Sequence, residues 1–140
     1  AALGLSVPRH AYAPNGTFYP AYMFQAGYRR AIHPCRSLAL TLDASYNFAE
    51  YYPFRQAGLA APVPLLLGTS LMYETHWGPI SLRTALGAHL YKSNKDYPIY
   101  ERVGIFYHLP DPRHSIGVAL RAYYAHIDFI EWSYSLDLTK

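Results

Sequence analysis

RHSIGVALRAYYAHIDFIEWSYSLDL, residues Arg113–Leu138, decides how the rest of the chain is read. Ile116, Val118, Leu120, Ala122 and Tyr124 form one row, and Ser115, Gly117, Ala119, Arg121 and Tyr123 form the other. After a break at Ala125-His126-Ile127 the alternation resumes. Ile130, Trp132, Tyr134, Leu136 and Leu138 then oppose Glu131, Ser133, Ser135 and Asp137. A period of two puts the rows on opposite faces of a strand, so the stretch reads as a hairpin. One face is bulky and apolar; the other is Gly, Ala and Ser with a few charges. Which face points outward is the question for the whole chain.

The same alternation recurs upstream, over Ala1–Val7, Tyr19–Ala31, Ser37–Ala49, Leu65–Thr75, Ile80–Tyr91 and Ile99–Leu109. With the final hairpin that makes eight strands. Phe106 is an exception to the pattern of its strand, a bulky ring in the row of Arg102, Gly104 and His108. Connections alternate too. Pro8–Thr17, Glu50–Val63 and Ser93–Pro98 are the longer ones; His33–Arg36, His76–Pro79 and Pro110–Arg113 are tight. Long loops on one side and short turns on the other are the layout of an outer-membrane barrel, with the short turns periplasmic. An even strand count then places both termini on the periplasmic side.

Composition agrees. The 140 residues fit a single domain, 1–140, with 51% hydrophobic and only 15% charged residues. Fifteen tyrosines raise the aromatic content to 16%. No apolar run reaches the roughly 18–20 residues of a membrane helix, since Pro62 and Pro64 break the richest one. The net charge of +3 comes from scattered basic residues, which argues against a nucleic-acid partner. Cys35 is the single cysteine, so no internal disulfide can form.

In a soluble lipocalin-like barrel the bulky rows would point inward and overfill the narrow interior that eight strands leave. In a membrane barrel the small residues fill the lumen and the bulky face meets lipid. Tyr19, Phe48, Tyr73, Trp77, Tyr107, Tyr124 and Trp132 then fall near strand ends, where interfacial aromatics belong. The expected fold is an eight-stranded antiparallel up-and-down transmembrane β-barrel. Its expected location is the bacterial outer membrane, among lipopolysaccharide, phospholipid and other outer-membrane proteins. The lumen inherits Arg29, Asp43, Glu74, Arg83, Arg102, Arg121, Glu131 and Asp137, a set balanced in charge and suited to a plug of ion pairs. A hairpin centred on His126 would set Arg121 directly opposite Glu131.

Two blocks carry a more specific resemblance. Leu90–Gly104 (LYKSNKDYPIYERVG) and Arg121–Trp132 (RAYYAHIDFIEW) resemble the C-terminal portion of Bacteroidetes outer-membrane barrels grouped with acyloxyacyl hydrolases and PagL-type lipid A 3-O-deacylases. That resemblance implies an eight-stranded barrel that removes an ester-linked acyl chain from lipid A. It also implies a catalytic His-x-Ser pair with a following Glu. The family His falls on Tyr123 and the Ser on Ala125; Glu131 is the counterpart of the Glu. Ester cleavage needs a hydroxyl activated by an adjacent base, and neither stands at those positions. Two expectations follow: a structural or accessory barrel without the catalytic pair, or an esterase with a rearranged set of His126, Glu131 and Ser133. A third is an adhesion or stability barrel whose Glu50–Val63 loop binds a partner. No cofactor motif or metal-ligand spacing is legible.

Overall fold

The computed structural model describes residues 2–8, 21–47, 65–91, 98–123 and 126–138, with the backbone alone for 2–8, 21, 47 and 126–129. Eight strands follow in order: β1 (Ala2–Pro8), β2 (Ala21–His33), β3 (Arg36–Asn47), β4 (Leu65–Trp77), β5 (Ile80–Tyr91), β6 (Ile99–His108), β7 (His114–Tyr123) and β8 (His126–Leu136). Each pairs antiparallel with its sequence neighbour, and β1 pairs with β8, which closes the barrel. The predicted long connections lie almost wholly outside the described residues.

The tight turns share one end with the start of β1 and the end of β8. Gly78-Pro79 joins β4 to β5, and Gly78 adopts φ +60°, a left-handed conformation that side chains other than Gly resist. Pro34-Cys35 joins β2 to β3. Between β6 and β7 the chain is held by Leu109 N–H donating to the His114 carbonyl at 2.9 Å and by the exposed Asp111–Arg113 ion pair at 2.7 Å.

Burial alternates as the sequence predicts, and it answers the question of faces. Leu40, Leu42, Leu71, Leu86, Ile105 and Trp132 are exposed on the outer surface. Ser37, Thr41, Asp43, Ser70, Arg83 and Arg102 are buried within. The outer face therefore has the bulk and the lumen has the small and polar groups. A soluble barrel with an apolar interior would show the reverse.

Phe106 is an inward residue after all, on the same row as Arg102 and Gly104. The lumen admits its ring because Gly104 and Gly117 lie beside it: a Cβ on Gly117 would come within 2.5 Å of Phe106 Cδ1. The Arg83 guanidinium stacks on the ring, 3.9 Å from its centroid. Size, not side, makes Phe106 different.

The last hairpin departs from the expected register. Ala119 faces Glu131 and Arg121 faces Phe129, with an irregularity between Arg121 and Ala122. His126 already pairs with Tyr123, so the strand begins inside the expected break. Arg121 and Glu131 are therefore not cross-strand neighbours. The ladder starts at the Tyr123–His126 pair rather than about His126, and beyond the irregularity its pairs lie two residues from the expected register, a shift that leaves inward–outward parity unchanged.

Candidate functional site

All eight predicted lumen charges lie on inward rows, and the described contacts arrange them in layers. At the turn end, Glu74 is 1% exposed and binds two arginines: Arg29 Nη1 donates to Oε2 at 2.7 Å, and Arg83 Nε donates to Oε1 at 2.8 Å. Arg29 also pairs with Asp137. Arg83 crosses the lumen to Ser135 Oγ at 2.8 Å and Ser115 Oγ at 3.1 Å. Ser81 Oγ donates to Glu74 Oε1 at 2.8 Å. Such a carboxylate, buried among donors that saturate it, is the arrangement in which a lumen charge is tolerated.

The middle layer holds Glu131, also 1% exposed. Arg102 is its described partner, with Nε 3.1 Å from Oε2 and Nη2 donating to Oε1 at 3.3 Å. The Nε contact is an ion pair without the alignment of a hydrogen bond. Arg121 lies directly opposite Arg102 on β7, and its guanidinium stacks 4.2 Å from the Tyr100 ring centroid. An aromatic face stabilises the second cation where two arginines stand side by side.

Toward the far end, Asp43 accepts from Gln25 Nε2 at 2.7 Å, Thr41 Oγ1 at 3.2 Å and the Tyr100 hydroxyl. The Tyr100 ring lies 4.9 Å from His89, and His89 Nε2 is 3.0 Å from the Tyr123 hydroxyl. The residue at the resemblance's histidine position is thus a buried phenol hydrogen-bonded across to β5.

Of the expected set His126, Glu131 and Ser133, the structure describes the side chains of Glu131 and Ser133 and the backbone of His126. Ser133 follows Glu131 by two residues on the same face of β8, opposite Gly117. His126 lies seven positions from Ser133 along the same strand, about 23 Å in an extended chain. Tyr123 and Glu131 are likewise apart: Glu131 faces Ala119, four residues or about 13 Å along β7 from Tyr123. Ala125 and the His126 side chain lie outside the described residues.

The geometry also brings together residues that the sequence reading left separate. Glu74, His76 and His108 offer ligand atoms all within 4.8 Å of one another. His76 and His108 are 32 residues apart on β4 and β6, which do not pair but flank the start of β5.

The sequence that builds this barrel matches a family model. The profile described as "Acyloxyacyl hydrolase, C-terminal domain" (PagL_C) covers residues 1–138. This chain belongs to that family. A comparison with curated proteins found no match.

Proposed function

We propose that this member of the acyloxyacyl hydrolase family is a non-hydrolytic outer-membrane barrel with a structural or accessory role. The observation that carries this reading is the state of Tyr123 and Glu131. Tyr123 is buried against His89 where the resemblance expects a base. Glu131 is held by Arg102, about 13 Å along the barrel from Tyr123. A general base must reach the proton that it abstracts within hydrogen-bond distance or through one water. Glu131 meets that condition for nothing at Tyr123.

The outer-membrane location is supported by the family and by the exposed belt of Leu, Ile, Tyr and Trp. No helix among the described residues is long and apolar enough to cross a membrane, which leaves the strands to do so. In this reading the tight-turn end faces the periplasm. Lipopolysaccharide and phospholipid chains pack on the outer face, and other outer-membrane proteins are the expected partners.

Mass spectrometry of lipid A and phospholipid incubated with the purified barrel in detergent tests the proposal. No released fatty acid is the expected result. Sustained release that Glu131→Ala abolishes would establish the rearranged esterase instead.

A further inference from the structure

We propose that Glu74, His76 and His108 form a binding site for a divalent transition-metal ion, of which zinc is the best fit, at the turn end of the lumen. The two imidazoles and the carboxylate converge from β4 and β6. His76 Nε2 lies 3.7 Å from Glu74 Oε2, and His108 Nε2 lies 3.7 Å from Glu74 Oε1. These separations are too long for hydrogen bonds. They are close to the ~3.4 Å between two donors on one tetrahedral ion at zinc–ligand distances. The rings sit 5.1 Å apart at an interplanar angle of 44°, so they converge without stacking. Imidazole nitrogen with one carboxylate oxygen is a donor set that zinc accepts.

The backbone holds both histidines in place. His76 N–H donates to the Cys35 carbonyl at 2.8 Å, and His108 N–H donates to the Pro79 carbonyl at 2.7 Å. Each ligand is thereby fixed to a tight turn of a neighbouring hairpin. His108 Nε2 also lies 3.0 Å from Ser81 Oγ, whose own proton points to Glu74. On metal binding the Nε2 proton of His108 moves to Nδ1, which frees the lone pair for the ion. Both histidines are partly exposed while Glu74 is buried, so an ion can enter from the mouth and meet the carboxylate last.

Arg29 and Arg83 oppose the ion, because each already binds Glu74. Arg29 has Asp137 as an alternative partner and can yield Oε2. The site is accordingly one of moderate affinity, in which the ion competes with Arg29. A bound ion ties β4 to β6 across β5, and so fastens the turn end.

Isothermal titration of the refolded barrel with zinc chloride tests the proposal, using a chain without a histidine tag and carrying Cys35→Ser to remove the exposed thiol. One equivalent should bind and raise the unfolding temperature. His76→Gln and His108→Gln should each abolish binding, and His33→Gln at the neighbouring turn should leave it unchanged. Arg29→Gln should tighten it, a gain that a merely structural cluster would not give. Should one histidine variant fail to fold, the other carries the result. No binding by the parent, or binding that survives in a folded histidine variant, overturns the site.

Discussion

Arg102 reaches Glu131 from two strands away, with Nε 3.1 Å from Oε2, although Ala119 is the residue that faces Glu131 in the ladder. The pair is buried on both sides. Removing one partner strands a charge in a low-dielectric lumen, which typically costs roughly 3–5 kcal/mol. Glu131→Gln should therefore lower the temperature at which the barrel loses its heat-modifiable gel mobility. Arg102→Met together with Glu131→Leu should recover much of that loss. Equal stability of parent and Glu131→Gln would mean that the pair contributes nothing.

Gly117 is one of the tight points of the barrel. A valine there would drive a Cβ to within 2.5 Å of both Phe106 Cδ1 and the Ile105 carbonyl oxygen. Overpacking of this kind costs about 1–3 kcal/mol, so Gly117→Val should unfold at lower temperature or denaturant. Adding Phe106→Leu should restore only part of the stability, because the carbonyl stays in the way. Thermal melts of the two variants distinguish a steric origin from a loss of backbone freedom.

Introducing the residues that the resemblance implies should not by itself introduce esterase activity. Tyr123→His with Ala125→Ser supplies an imidazole and a hydroxyl, yet Glu131 remains about 13 Å along the strand and bound to Arg102. The double variant should release no more fatty acid from lipid A than the parent does. Hydrolysis at a rate dependent on Glu131 would show that the hairpin rearranges and that the register described above is not the working one.

Cys35 reports orientation. It is exposed in the turn between β2 and β3, at the end that the proposal assigns to the periplasm. A membrane-impermeant maleimide should leave it unreacted in intact cells and label it after the outer membrane is permeabilised. A cysteine introduced in the Glu50–Val63 stretch should react in both. Labelling of Cys35 in intact cells would invert the barrel.

Periodicity carried most of the fold. Rows such as Leu38, Leu40, Leu42 against Ala39, Thr41, Asp43 reveal both strand and face, because side-chain direction depends only on parity. Register is another matter. Arg121 and Glu131 share a face by parity, but the ladder that starts at Tyr123–His126, with its irregularity near Ala122, sets Glu131 two residues away, opposite Ala119. Cross-lumen relationships are further still from the sequence. Arg83 meets Ser135 because the stagger of a closed barrel sets which rows are level, and His76 meets His108 across the intervening β5. Phe106 was legible as a bulky intruder, whereas the Gly104 and Gly117 that make room for it stand out only once their strands are paired.

The closure of β1 on β8 has a kinetic consequence. β1 has seven residues where β2 has thirteen, so the barrel's last-made seam is also among its shortest. Its partners lie at opposite ends of the chain, with Ala2 against Ser135, and the ladder cannot zip until β8 has been synthesised and inserted. The same seam should be the first to unzip. Amide hydrogen exchange in detergent is expected to lose protection in β1 before β3 or β4, whose ladder is longer and local. A barrel that opens there exposes the edges of β1 and β8, each able to accept a strand from another chain.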